Sequence, residues 1–202
     1  GAHNGHLPVV QYLLSEADAD VYAPTQDGLT AAHFACMAGE LDVLECLLAH
    51  CTVAQGEAGG GASGGGGGAA LVGGGHRGLL LAASDSGQTL LTAASLAGHA
   101  HVVKFLLQTG ELDPNAATSS GNTPLHLSCQ GGHTAVAELL LLAGADPHAT
   151  TNAKQTALHK ASYEGHEAPV RLLLRAGVDA NAMDQEGFSV LHHAAAGGRH
   201  GI

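Results

Sequence analysis

The sequence has no tryptophan, and aromatic side chains make up only 3% of its 202 residues. Hydrophobic residues nevertheless account for 45% of the chain, and Ala and Leu dominate them. Side chains this small suit closely stacked helices better than one wide core. The length allows one or two ordinary globular domains, or one elongated array of repeats.

Positive charge is also scarce. Seven Lys and Arg residues stand against eighteen Asp and Glu, so the net charge is −11 with His neutral. Binding to nucleic acid needs clustered Lys and Arg, and we therefore expect no nucleic-acid partner. An anionic membrane surface is disfavoured for the same reason, and no apolar run is long enough to insert into a bilayer. Partners with basic surfaces are the easier match.

Cysteine is limited to Cys36, Cys46, Cys51 and Cys129, and no two of them form a C-x-x-C pair. The spacing therefore predicts no disulfide framework. We interpret these residues as buried, reduced thiols of an intracellular protein. The start of the sequence has no apolar segment typical of a signal peptide. We expect a soluble segment in the cytoplasm, with the nucleus as the alternative.

Signatures of catalysis are missing as well. The sequence has no G-x-S-x-G elbow, no H-E-x-x-H, no kinase motifs and no dinucleotide fingerprint. His126 and Cys129 lie three residues apart, but both recur at repeat positions. The pairs His99/His101 and His192/His193 lack partners at the spacing of structural zinc sites. We expect no enzyme activity, no cofactor and no metal site.

What the sequence does contain is a repeat with a period of 33 residues. The stretch from Thr118, TSSGNTPLHLSCQGGHTAVAELLLLAGADPHAT, aligns with that from Thr151, TNAKQTALHKASYEGHEAPVRLLLRAGVDANAM. The unit restarts at Asp184, and earlier copies begin at Thr25 and Ser84. The residues before Thr25 fit the second half of one more copy. Regular self-similarity of this kind indicates stacked supersecondary units.

Each copy predicts a pair of short helices. In the copy from Thr118, Thr123 precedes Pro124, the order expected for an N-cap followed by proline at the first helical position. After a Gly-Gly break, helical spacing of apolar residues predicts a second helix over roughly 134–142. Gly144 stands where a left-handed C-cap is expected. Helices of two or three turns are too short to be stable alone, and stacking lets neighbours share a core.

The strings TPLHLSCQGGH, TALHKASYEGH and SVLHHAAAGG, with GADPHA and GVDANA, resemble the consensus of ankyrin repeats. The resemblance covers nearly the whole chain outside one insertion. It implies an all-α solenoid of stacked antiparallel helix pairs joined by β-hairpin-like loops. The resemblance is specific for the fold and says little about the function. It also implies that one set of histidines bonds backbone in the neighbouring loop, namely His33, His126, His159 and His192. A second set is implied at the entry of the second helices, namely His6, His99, His133 and His166.

The array is predicted to have three segments. Residues 1–51 hold a partial copy and a full helix pair, 52–78 form a Gly-rich flexible insertion, and 79–202 hold three full copies and a partial last one. The insertion has no G-x-x-x-x-G-K-[ST] string and no strand leading in, so we interpret it as a linker, not a phosphate cradle. In the copy from Ser84, Leu90 and Thr92 replace the usual Pro and His. We expect that copy to lose the usual helix start and a histidine hydrogen bond.

Partners of ankyrin-like arrays usually meet a concave face made of loop tips and the exposed side of the first helices. Tyr163 and Phe188 are the best anchor candidates, because aromatic residues are enriched in interface hot spots. The alternative interpretation is that both rings are merely exposed or pack between repeats. Carried over to this sequence, the face comprises Gln26, Asp27, Leu29, Met37, Asp85, Ser86, Gln88, Leu96, Ser119, Ser120, Asn122, Gln130, Asn152, Gln155, Tyr163, Glu164, Gln185, Glu186 and Phe188.

Two functions fit this sequence. The first is a monomeric scaffold or adaptor that binds other proteins through the concave face and has no activity of its own. The second is the regulatory or targeting arm of a larger enzyme or channel. Gly1 and Ile202 both fall inside a repeat, which favours an excerpt of a longer protein. No other domain is in view, which favours the adaptor.

Overall fold

The computed structural model describes residues 6–17, 19–53 and 75–197. This part of the chain is all-helical apart from three isolated β-bridges that close loops. The helices are α1 (Leu7–Ser15), α2 (Ala31–Ala38), α3 (Leu41–Val53), α4 (Gly75–Leu80), α5 (Leu90–Ala97), α6 (Ala100–Gln108), α7 (Pro124–Gln130), α8 (Thr134–Leu142), α9 (Ala157–Glu164), α10 (Glu167–Arg175) and α11 (Val190–Ala196).

The helices form two rows. Helices α2, α5, α7, α9 and α11 pack on one another in chain order and are called the inner helices here. The outer helices are α1, α3, α6, α8 and α10, and each of α3, α6, α8 and α10 packs against the inner helix that precedes it. This arrangement is an all-helical repeat solenoid, as the sequence predicted.

A repeated capping box starts the inner helices. The N-cap residue is Thr or Ser with an extended backbone, and the residue three positions later accepts its N–H. The Thr123 N–H donates to His126 Nδ1 at 3.3 Å, and the Thr156 N–H donates to His159 Nδ1 at 3.2 Å. Histidine therefore plays the part that Glu or Gln plays in the common form of this box. The predicted start of α7 at Pro124 and the span of α8 are confirmed.

The copy from Ser84 keeps its helix start, so that part of the expectation was wrong. Helix α5 begins at Leu90, where the Thr89 N–H donates to Thr92 Oγ1 at 2.7 Å and the Thr92 N–H donates to Thr89 Oγ1 at 3.2 Å. The threonine hydroxyl completes the box because it also offers an acceptor at the third helical position. That hydroxyl donates to Thr89 O at 2.8 Å, within its own turn. The expected loss of the histidine bond to the next loop is thus confirmed.

Removing this cap provides a modest test of the interpretation. We expect Thr89→Ala to lower the free energy of unfolding by about 1 kcal/mol, because the Thr92 N–H loses its acceptor at the start of α5. Urea unfolding followed by circular dichroism measures the change. The control is Ser15→Ala, at an exposed position at the end of α1, which should change stability by less than about 0.5 kcal/mol. Equal effects of the two substitutions would contradict the capping interpretation.

The core runs continuously along the stack. Leu90, Leu125 and Leu158 of the inner helices are at most 1% exposed, as are Leu106 and Leu140 of the outer helices. The inner helices also bury alanines, whose small side chains let neighbouring helices approach closely. Each unit shares this core with the units on either side of it. The small, aromatic-poor composition follows from this close packing.

The range 52–78, predicted as a flexible insertion, is helical at both of its ends. Helix α3 runs to Val53, and α4 begins at Gly75 and packs against α3. Leu79 and Leu80 of α4 are buried in the core. Residues 54–74 lie outside the described residues, and for them the linker stays a prediction.

The helices of the described residues are short. Helix α3 has 13 residues, and no helix in the described ranges combines the length and the apolar character needed to cross a bilayer.

Candidate functional site

The inner-helix histidines connect successive repeats. His33 Nε2 lies 2.9 Å from Gln88 O, His126 Nε2 lies 3.0 Å from Gln155 O, and His159 Nε2 lies 3.1 Å from Ala182 O. A backbone N–H donates to Nδ1 of each ring, so the proton sits on Nε2 and is donated to the next loop. The bond implied by the resemblance is confirmed for these three. His192 is exposed and bonds Ser189 within its own turn.

A second histidine row holds the entry of the outer helices. His99, His133 and His166 are the N-cap residues of α6, α8 and α10. Their Nε2 atoms lie 3.0–3.1 Å from carbonyl oxygens at or next to the ends of inner helices one repeat earlier, on α2, α5 and α7 respectively. The implied position of this set is confirmed for all three, and His6 likewise caps α1. Within the described residues, no three His, Cys, Asp or Glu side chains are grouped so that they could hold a metal ion.

Cys129 and His126 do not form a reactive pair. Cys129 is fully buried, and burial raises the pKa of its thiol to about 12. Burial lowers the pKa of His126 to about 4. The thiol is therefore protonated near neutral pH, and the imidazole is already committed to its two backbone partners. All four cysteines are free thiols, and three are buried as predicted, while Cys46 is partly exposed.

Backbone hydrogen bonds tie each loop tip to the next. The Asp85 N–H donates to Asp27 O at 3.1 Å, and the Ser119 N–H donates to Ser86 O at 2.8 Å. Two further bonds continue the row, from Asn152 N–H to Ser120 O and from Gln185 N–H to Ala153 O. The first side chain of each loop also accepts a hydrogen bond from the backbone four residues later. The tips thus form a fixed row along one edge of the stack.

None of the nineteen predicted binding residues is buried. Those with exposed side chains are Gln26, Asp27, Asp85, Ser86, Leu96, Ser119, Ser120, Asn152, Tyr163, Gln185, Glu186 and Phe188. Those that are half-buried are Leu29, Met37, Gln88, Asn122, Gln130, Gln155 and Glu164. Met37 in addition packs against the core.

Five of these residues line one groove of about 610 Å³, formed by two loops, α9 and α11. Tyr163 and Phe188 line it and are 47% and 46% exposed. We call it the aromatic groove, and its lining residues are Ala153, Gln155, Tyr163, Asp184, Gln185, Glu186, Phe188, His192, His193 and Ala196.

Five others line a smaller pocket of about 340 Å³ between two loop tips, together with Ser84. These are Asp27, Leu29, Asp85, Ser86 and Gln88. The remaining nine predicted residues line neither the aromatic groove nor this pocket.

Sequence reasoning missed a hydrogen-bonded pair in the aromatic groove, in which Asp184 is buried and His193 is partly exposed. His193 Nε2 lies 2.8 Å from Asp184 Oδ2, and the other carboxylate oxygen accepts the backbone N–H groups of Glu186 and Phe188. The hydrogen bond from His193 lowers the pKa of the Asp184 carboxyl to about 2, and the two backbone bonds act in the same direction. The carboxylate is therefore ionised. The His193 ring also lies edge-on to Tyr163, with 6.3 Å between ring centroids.

The alignment of the copies carried a signal for this pair. The first loop residue is Thr or Ser in four copies and Asp184 in the fifth. A charged group at a position elsewhere filled by hydroxyls marks a local difference.

Two family models match the chain. The model described as ankyrin repeats in three copies matches residues 70–151 and 139–202. The model described as ankyrin repeats in many copies matches residues 1–48. Residues 139–202 include every residue that lines the aromatic groove.

Proposed function

This chain belongs to the ankyrin-repeat family, and from that premise we propose that it is a scaffold or adaptor that binds other proteins through its loop tips and inner helices. Repeats of this family are in general protein–protein interaction modules and typically have no enzyme activity. Backbone hydrogen bonds already fix the loop tips to one another, so the binding surface is formed before a partner arrives. A rigid surface loses little conformational entropy on binding.

One observation carries the proposal: two half-exposed aromatic side chains meet in one groove. Tyr163 comes from an inner helix and Phe188 from the next loop, 25 residues later, yet both line the same 610 Å³ groove. Aromatic rings supply much apolar contact area at small entropic cost, which makes them frequent anchors of protein interfaces. A groove of this kind fits an extended segment of a partner.

The charge of the groove supports a partner with a basic surface. Within the described part of the chain, its lining includes the carboxylates of Asp184 and Glu186 and no Lys or Arg. Arg171 and Arg175 stand on outer helix α10 instead. Opposite charge on the partner would raise the rate of association and fix the orientation of the complex.

We place this activity inside the cell, in the cytoplasm or nucleus. The support is the state of the cysteines, which are free thiols, three of them buried. Free thiols persist where the compartment is reducing. The alternative, an arm of a larger enzyme or channel, would use the same surface, so the experiment below bears on both.

The test uses a phage library of random linear peptides panned on the chain. We expect selected peptides to bind Phe188→Ala and Tyr163→Ala at least about tenfold more weakly than the unchanged chain, because each substitution removes an anchor. The matched control is Leu142→Ala on outer helix α8, which removes an apolar side chain that is 86% exposed and should leave binding unchanged.

Circular dichroism and urea unfolding of the variants establish that the stack is intact. Peptides that bind both aromatic variants as well as the unchanged chain would refute the assignment of the binding face. Loss of binding in Leu142→Ala alone would move the interface to the outer helices.

A further inference from the structure

We propose that the aromatic groove is a recognition site for an arginine side chain of the partner, with the guanidinium packed against Tyr163 and Phe188 and paired with Glu186. This inference rests on the proposed function and specifies what the groove selects. It follows from three departures from the repeat that converge on one place.

The first two departures are the aromatic rings. The position of Phe188 holds Leu29, Gln88, Asn122 and Gln155 in the other copies, and the position of Tyr163 holds Met37, Leu96, Gln130 and Ala196. The stack forms with any of these side chains, so it does not need an aromatic ring at either position. In the last two copies both aromatic residues line the same groove, and each ring lies edge-on to His193 with 6.3 Å between the ring centroids. The other copies stack without aromatic residues at these positions, which favours a role in binding.

The third departure is the charge of Asp184. In the other copies a hydroxyl at this position accepts the backbone N–H four residues later, as Thr151 does from Gln155. Asp184 Oδ1 does the same for Phe188 at 2.9 Å. Compared with the hydroxyl of the other copies, Asp184 adds a second oxygen and a negative charge. Its side chain is 5% exposed. The loop therefore holds a fixed negative charge in the wall of the groove, which the turn alone does not require.

Among the residues that the structure describes, no Lys or Arg lines the groove. From α11 it is faced by His192 and His193, and His193 donates to Asp184. From the loop it is faced by Glu186, whose side chain is exposed. Lys154 and Lys160 are near in sequence but do not line the groove. An anionic ligand would be repelled by the two carboxylates, and a purely apolar one would cover Glu186 without pairing it.

Arginine fits this combination better than lysine does. Its planar guanidinium stacks on aromatic faces and can form two parallel hydrogen bonds to one carboxylate. A cation over an aromatic face is attracted by the ring quadrupole, most strongly when water is displaced. The groove offers both an aromatic surface and a carboxylate, whereas the compact lysine ammonium uses only one contact at a time.

The same random-peptide phage library provides the test. Among peptides whose binding depends on Phe188 and Tyr163, we expect arginine to be enriched. A synthetic peptide from this set should bind about tenfold more weakly when its arginine is replaced by norleucine, and more weakly with lysine than with arginine.

A pair of matched substitutions tests the carboxylate. Glu186→Gln should weaken the arginine peptide by about fivefold and leave the norleucine peptide unchanged. Glu138→Gln makes the same chemical change on the exposed side of outer helix α8, and should leave both peptides unchanged. Equal effects of the two substitutions would mean that binding responds only to the net charge of the chain, and this result would overturn the inference.

The outcomes separate this inference from the proposed function. Peptides that depend on Phe188 and Tyr163 but contain no arginine, or that tolerate norleucine, would overturn arginine recognition and leave protein binding intact. Peptides that depend on neither aromatic residue would overturn both.

Discussion

Acidification from about pH 7.5 to about pH 5 is expected to lower the free energy of unfolding by about 2 kcal/mol through His126 alone. The ring is buried in the neutral form, and Nδ1 accepts the Thr123 N–H while Nε2 faces Gln155 O. A proton on Nδ1 would replace the acceptor of the cap with a donor. It would also place a charge between two repeats where little water reaches.

The direction follows from the two pKa values. In the unfolded chain His126 titrates near its ordinary pKa of 6.5, and in the folded chain burial lowers that pKa to about 4. The unfolded state therefore takes up the proton first, so the contribution is full above pH 6.5 and is lost as the pH falls towards 4. Burial also lowers the pKa of His33 and His159. Both add to the loss in the same direction.

Urea unfolding of the unchanged chain and of His126→Gln at both pH values isolates this contribution. The variant should be less stable near neutral pH, because the cap and the link to the next loop are weakened. Its stability should then fall by about 2 kcal/mol less on acidification. His148→Gln, at an exposed loop position, is the control and should retain the full pH dependence. A His126→Gln chain as sensitive to acid as the unchanged one would contradict the account.

Gly98→Ala is expected to lower the free energy of unfolding by about 2–4 kcal/mol, the largest effect of a single substitution considered for this stack. Gly98 ends α5 with φ of +82°, a conformation that costs an L-residue about 1 kcal/mol. An added methyl group would also overlap the imidazole of His133. That ring cannot withdraw freely, because its Nε2 lies 3.1 Å from Leu96 O, next to the helix end it supports.

Gly110→Ala separates the two causes. Gly110 has φ of +68°, and no atom lies within 4 Å of the position its methyl group would take. This variant should lose only the backbone contribution, about 1 kcal/mol. The difference between the urea midpoints of the two alanine variants measures the contact with His133. If the two variants are equally destabilised, the histidine row does not restrict the approach of successive repeats.

The fold could be predicted from the sequence because its signals are local and recur in every copy. The order Thr123, Pro124, His126 fixes a helix start within four residues, and the structure has α7 beginning at Pro124. Gly144 was expected to follow α8 in a left-handed conformation, and its φ is +92°. Each of these features depends on chemistry a few residues away. Repetition then makes the stacking of neighbours the natural arrangement.

The predictions were wrong where an unusual residue makes the same hydrogen bond as the usual one. They were also wrong where packing produces a helix that the local composition does not favour. Thr92 was expected to weaken the start of α5, yet its hydroxyl supplies the acceptor that histidine supplies elsewhere. Helix α4 has two glycines among six residues, so its sequence favours a loop. Burial of Leu79 and Leu80 against the stack explains why it is helical.

The candidate site could be predicted only in part. The repeat positions predict which side chains face outward, and Tyr163 and Phe188 are indeed half-exposed. The alignment of the copies marks Asp184 as unusual, but it does not identify His193 as the partner, because a loop and a helical turn bring together residues nine positions apart. The convergence of a loop and an inner helix on one groove is likewise a property of the stack, not of any single copy.

The most direct test of the proposed binding face is a map of chemical-shift changes in the ¹⁵N-labelled chain on adding a selected peptide. We predict that the shifted amides cluster at the loops and inner helices around Gln155, Tyr163 and Phe188, with outer helices α6, α8 and α10 unaffected. A cluster of shifts on those outer helices, with the amides around the aromatic groove unchanged, would contradict the account.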